Sequence, residues 1–135
     1  MSEKAIMETV LRFYPEAEAI YLFGTCWTPH ERHDSDVDIA LLFSPGRAKA
    51  VGSLVMGGCM HALEDAVKRT VDMVNLRMAN TVFQNEIIQE GRIIYKQNEA
   101  VVDEFEMQAM SAYQKLSEER ARILEDIFAT GRILQ

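Results

Sequence analysis

The sequence predicts an α/β (α+β) fold, a small mixed β-sheet flanked by helices, and three observations predict it. Apolar runs of strand length, "AIYLF", "VDIALLF" and "TVDMVNL", alternate with stretches whose apolar residues recur every three or four positions. Turn-forming residues separate them: Gly24, Ser44-Pro45-Gly46 and Gly91. The 135 residues suffice for one core and fall short of two ordinary domains. Helix, strand, strand, helix, strand, helix, strand, helix is then the order of a single layered domain, expected over residues 1–135.

Each element has a local cause. Ser2 followed by acids resembles an N-cap, and Ile6, Val10 and Phe13 recur at helical spacing, so a helix is expected over 3–13, stopped by Pro15. "AIYLF" has the length of a buried strand and ends at Gly24, and "VDIALLF" is a second strand ended by Ser44-Pro45-Gly46. From Arg47 to Arg69 the residues Val51, Leu54, Val55, Met60, Leu63 and Val67 return at helical intervals, with a kink or break expected at Gly57-Gly58. "TVDMVNL" is a third strand. "ANTVFQNEIIQEGRIIYK" reads as a capped helix ending at Gly91 and a short strand from Ile93 to Tyr95.

The stretch from Glu99 to about Thr130 has neither proline nor glycine, and Val102, Phe105, Ala109, Tyr113, Leu116, Ile123 and Ile127 mark one long amphipathic helix. Met107, Met110 and Ile123 flank that stripe as apolar surface for a partner, against the plainer reading of self-packing or a homodimer. Met56 and Met60 read as gap-filling core.

Composition narrows the function. Apolar residues make up 48% and charged residues 26%, which excludes wholesale disorder. With 14 basic against 21 acidic residues the net charge is −7, so direct binding of nucleic-acid backbones is not expected. A metal-bound nucleotide or a basic protein partner fits better. Cys26 and Cys59 lack zinc-ligand spacing and read as reduced thiols. No stretch has the pattern of a secretory signal or the ~18 apolar residues of a membrane span, so a cytoplasmic location is expected.

The chemistry concentrates in "YLFGTCWTPHERHDSDVDIALLF", residues 21–43. On a strand Asp36 and Asp38 would point the same way, and two carboxylates so placed repel each other unless a cation lies between them. Mg²⁺ is suited to that position, because it takes hard oxygen ligands from one or two carboxylates plus substrate phosphates. Gly24 permits close backbone approach, and Thr25 offers a hydroxyl and an N–H to phosphate oxygens. Asp72 is a third carboxylate in an otherwise apolar strand, able to reach the pair or to take the proton from an attacking hydroxyl if the strands are neighbours. A lone Asp-x-Asp is commonly a solvated turn, but the Gly-Thr before it and the Asp in the next strand set this one apart. His30 and His33 read as solvated loop residues, and His61 as a surface or packing residue on a helix. Trp27 could stack on a nucleobase or cover the core.

Gly24-Thr25, ten intervening residues and Asp36-Val37-Asp38 closely resemble the G-S-x10-D-x-D signature of the DNA polymerase β-like nucleotidyltransferase superfamily, and Ser35 matches its common "SDxD" form. The chain looks in particular like the minimal nucleotidyltransferase (MNT) antitoxins that pair with HEPN ribonuclease toxins. The resemblance covers nearly the full length. It implies a nucleotidyltransferase fold in which Gly24 and Thr25 hold the triphosphate of ATP and Asp36, Asp38 and Asp72 are catalytic and bind Mg²⁺. It also implies transfer of AMP to a tyrosine of a HEPN-type toxin, with which the chain would form a hetero-oligomer. Two departures stand out: Thr25 replaces the usual serine, and "CWTPHERHDS" lacks the Arg-Gly of many relatives, with Arg32 as a substitute. Two other functions stay open, an antitoxin that inhibits by binding alone and an aminoglycoside-type nucleotidyltransferase. The second is disfavoured because it generally needs additional substrate-binding structure.

Overall fold

The computed structural model describes residues 3–24, 36–55 and 57–130. Helix α1 spans Glu3–Phe13, strand β1 Ala19–Phe23, strand β2 Val37–Leu42, helix α2 Pro45–Val51 and helix α3 Gly58–Val67. Strand β3, Val71–Asn75, leads through a 3₁₀ turn, Leu76–Met78, into helix α4, Thr81–Glu90. Strand β4, Arg92–Lys96, and the long helix α5, Glu99–Thr130, complete the chain.

The break expected at Gly57-Gly58 is complete and divides the stretch into two helices. The apolar pattern between Arg47 and Arg69 is interrupted where Gly52 adopts φ +62°, donating its N–H to the carbonyl of Ala48 and closing α2. Gly57 then occupies the N-cap of α3, so the break comprises the whole interval between the two glycines. Elsewhere the elements form as their patterns predict. Asn80 caps α4 by accepting the Phe83 N–H at 2.8 Å.

The strands form one mixed sheet in the order β3-β2-β1-β4. β1 runs antiparallel to β2 and β4, whereas β2 and β3 are parallel, joined by the crossover through α2 and α3. Alternation divides the apolar side chains between two faces. Ile20, Leu22, Ile39, Leu41 and Met73 pack against Ile6 and Val10 of α1 and Leu63 of α3. Tyr21, Ala40 and Leu42 pack on the other face under Ile87 of α4 and Val102 and Phe105 of α5. Burying each large side chain contributes roughly 1.5–3 kcal/mol, so both helical layers are held mainly by apolar contact.

Polar contacts orient those layers. The Tyr21 hydroxyl donates to Glu106 Oε2 at 2.7 Å, which fixes α5 over the middle of the sheet. Arg77 donates through Nε to the carbonyl of Phe43 at 2.7 Å and lays its guanidinium 5.1 Å from the centre of the Phe105 ring.

The apolar stripe expected along α5 is covered only in its first half. Val102, Phe105 and Ala109 are buried, but Ile123 is 56%, Leu124 55% and Phe128 81% exposed. The flanking methionines differ too. Met107 is exposed, whereas Met110 is half-buried and its sulfur accepts a hydrogen bond from Gln89 Nε2 at 3.3 Å, so Met110 belongs to the α4–α5 packing. Cys59 is a buried free thiol and Met60 is core, and His61 is exposed. Met56 lies outside the described residues. Among the described residues no helix is long and apolar enough to cross a membrane.

Candidate functional site

Strand pairing brings the predicted carboxylates together. Phe23, the last residue of β1, lies opposite Asp38 in the antiparallel pair, and Asp38 lies beside Asp72 in the parallel pair. Gly24, Asp38 and Asp72 therefore meet at one end of the sheet, although the two acids stand 34 positions apart along the chain. Both acids occupy the strand face of Ala40 and Val74, the face carrying α4 and α5. Asp36 stands just before β2 and is exposed, so the strand begins between the two aspartates.

Asp38 is held in place by its neighbours. A Cβ built on Gly24 would collide with Oδ2 of Asp38 and lie 3.0 Å from its Cγ, and Gly24 itself has φ +85°, which disfavours any other residue. Glycine is needed here because the carboxylate sits against the turn that closes β1. The pKa of Asp38 is raised to about 6, by burial first and then by the neighbouring charges of Asp72 and Asp36. The site thus gathers more negative charge than its solvation supports, which favours a cation there.

Among the described residues no three His, Cys, Asp or Glu side chains stand in finished metal-ligand geometry. The donor set fits Mg²⁺ all the same, since every donor is a carboxylate oxygen and this ion completes its shell with waters and substrate phosphates. Thr25, the predicted phosphate contact, lies outside the described residues, as do Cys26, Trp27, His30, Arg32, His33 and Ser35.

Sequence reasoning missed a cleft of about 470 Å³ beside β3, lined by Leu54, Met73, Asn75, Met78, Asn80 and Phe83. Its walls come from separate segments, and only the pairing of β3 with β2 assembles them. Phe83 connects the cleft to the carboxylates, because its ring meets that of Phe23 edge-on with centroids 5.7 Å apart.

The family described as "Polymerase beta, Nucleotidyltransferase" matches residues 6–100, which include both strands of the signature and Asp72. The chain belongs to this nucleotidyltransferase family. A relative within the wider similarity is the protein adenylyltransferase MntA of Shewanella oneidensis, 29% identical over 131 residues, which are 96% of this chain and 89% of that protein. Among solved structures, a toxin–antitoxin with AMP-PNP superposes with a TM-score of 0.73 at 26% identity, covering 95% of this chain and 99% of that one. The complex of a tri-AMPylated Shewanella oneidensis HEPN toxin with its MNT antitoxin gives 0.65 at 26% identity, covering 93% and 95%. In this nucleotidyltransferase, as the fold of those neighbours also shows, the long α5 helix is part of the shared architecture: the likeness continues past residue 100, where the family match ends.

Proposed function

We propose that this nucleotidyltransferase is an antitoxin that transfers AMP from ATP to a tyrosine hydroxyl of a cognate HEPN-type ribonuclease toxin and so neutralises it. The observation that carries the reading is the meeting of Gly24, Asp38 and Asp72 at one end of the sheet. Its support is a likeness over almost the full chain to a protein adenylyltransferase and to antitoxins in complex with toxins.

In this reading Gly24 and Thr25 receive the triphosphate. Asp36, Asp38 and Asp72 would hold Mg²⁺, which when bound draws negative charge off the phosphates and offsets the repulsion among the three carboxylates. The acceptor hydroxyl oxygen attacks the α-phosphorus of ATP. A new P–O bond forms to the tyrosine, the α–β phosphoanhydride bond breaks, and pyrophosphate leaves with its electron pair. The hydroxyl proton passes to the carboxylate of Asp72, which is exposed on the same sheet face as Asp38 and can receive it.

The test is transfer of label from α-³²P-ATP, with Mg²⁺, to a co-expressed HEPN-type toxin. Wild-type protein is expected to label the toxin, and Asp36→Asn with Asp38→Asn to lose labelling while keeping its circular dichroism. Full transfer by that double variant would overturn the catalytic assignment. A folded double variant that still silences the toxin would show that binding alone neutralises it.

A further inference from the structure

Two clefts meet at the start of α4. The cleft of about 470 Å³ described above and a second of about 430 Å³, between α4 and α5, share Asn80 and Phe83 in their walls. The second is lined by Thr81, Val82 and Glu86 of α4 and by Leu116 and Arg120 of α5. The segment that separates them, residues 78–83, carries an apolar ridge, since Met78 is 56% and Val82 41% exposed. Leu116 and Ile123 are seven residues apart, about two turns, so the α5 wall of the second cleft continues along the half of the helix that leaves the core.

The exposed apolar side chains are not scattered. Among the described residues eight large ones stand out from the surface, and six of them belong here. Met78 and Val82 form the ridge, Val55 follows Leu54 of the first cleft, and Ile123, Leu124 and Phe128 lie beyond Leu116 on α5. The other two are Phe13 on α1 and Met107, which stands nine residues before Leu116, about two and a half turns, and so on the opposite side of α5. Charge is scarce in both clefts: Glu86 and Arg120 are the charged residues of their linings, in a chain with 21 acidic and 14 basic residues. Clustered apolar side chains with little charge are the composition of an interface core, and they do not suit a charged small molecule.

We infer that residues 78–83, with the cleft on either side and the free half of α5, form the surface on which the toxin docks while its tyrosine reaches Asp72. This rests on the transferase reading above. The occupant follows from position. Gly24 lies on the β1 side of Asp38 and Asp72 on the β3 side, so a triphosphate on Gly24 leaves in-line attack on the α-phosphorus to a hydroxyl arriving from β3. The first cleft opens on that side: Val74 in its wall shares the strand face of Asp72, two residues and about 6.6 Å away along β3. A protein that presents the acceptor there rests against the elements beside β3, and these carry the uncovered apolar surface. A stable interface buries ~800 Å² on each partner, more than one cleft offers, so docking draws on both clefts and on α5. A second copy of this chain is the poorer occupant. It would bring together two chains of net charge −7 and, by two-fold symmetry, lay each across the other's approach to Asp72.

The experiment compares AMP transfer to the purified toxin by wild-type protein, by Val82→Glu with Ile123→Glu, and by Met107→Glu. Both changed positions of the double variant are exposed, and Val82 is the second residue of α4, where the helix N-terminus favours an acid, so the fold is kept. The double variant is expected to raise KM for toxin at least tenfold with affinity for AMP-PNP unchanged, while Met107→Glu stays near wild type. A wild-type KM in the double variant would overturn the docking surface and leave the transferase reading intact, and an equal rise in Met107→Glu would assign the effect to charge alone and overturn it too. If wild-type protein captures the toxin without labelling it, the transferase reading fails and a pull-down decides the surface: capture lost in the double variant supports it, and capture kept overturns it. A second measurement needs no variant. Hydroxyl-radical oxidation of Met78 is expected to fall at least fivefold with toxin and to stay unchanged with AMP-PNP and Mg²⁺, whereas unchanged oxidation with toxin would overturn the proposal. A dimer of this chain alone that the double variant disperses would give the surface to a second copy and overturn it as well.

Discussion

Asp38 carries opposed demands, and its surroundings make the conflict measurable. Its folded-state pKa, about 6, lies above the ~3.9 of an unfolded aspartate, so between those values the folded protein binds more protons than the unfolded chain. Without divalent ions stability should therefore fall as pH rises from about 4 to about 6. Because the group is partly exposed, the change should be only roughly 1–2 kcal/mol. Asp38→Asn should flatten that slope, read by urea titration across the pH range in chelator. At the adjacent position, Gly24→Ala places a Cβ against Oδ2 of Asp38 and asks alanine to hold a positive φ, which costs ~1–2 kcal/mol. We expect at least a tenfold loss of kcat/KM for AMP transfer with the fold retained, whereas an unchanged rate would show that Asp38 need not sit against the β1 turn.

At the level of elements, α5 divides into a packed half and a projecting half. Phe105 is 5% exposed, lies under the Arg77 guanidinium and belongs to the cluster with Tyr21, so Phe105→Ala should destabilise the protein by about 3–5 kcal/mol. Leu124 and Phe128 meet no such packing, and their joint change to lysine should leave the melting temperature almost unaltered. If that end of the helix contacts the toxin, the same variant weakens toxin capture in a pull-down, and unchanged capture assigns the interface elsewhere. Met107→Glu should likewise be tolerated by the fold, since Met107 is exposed, while Met110→Glu should not, because Met110 packs against Gln89 of α4.

For the molecule as a whole, the sheet is a shared wall between two apolar layers, so neither layer can be lost without exposing the other side of the strands. Cys59 reports on this. Burial pushes its thiol up to about 11, far from the thiolate form that reacts at neutral pH. In a Cys26→Ser background, alkylation of Cys59 should proceed at the rate at which α3 leaves the sheet and accelerate with denaturant in step with unfolding. Rapid alkylation under native conditions would show that the α1–α3 layer opens independently.

The sequence by itself determined the order and type of the elements, because hydrophobic period, Gly24, Pro15 and the Asn80 cap act over a few residues. It also singled out the residues of the candidate site, since Gly24, Asp36, Asp38 and Asp72 could be selected from spacing and from charge placed within apolar strands. Only the tertiary structure decided that Asp72 stands beside Asp38, that Asp36 lies outside the strand, and that the break expected at Gly57-Gly58 begins already at Gly52. It also decided that the apolar stripe of α5 outruns the core, because the sheet ends before the helix does and helical periodicity carries no information about what lies opposite. The cleft along β3 was invisible for a related reason. Its walls come from Gly52–Leu54, Met73–Asn75 and Met78–Phe83, and strand pairing, a non-local interaction, is what gathers them into one place.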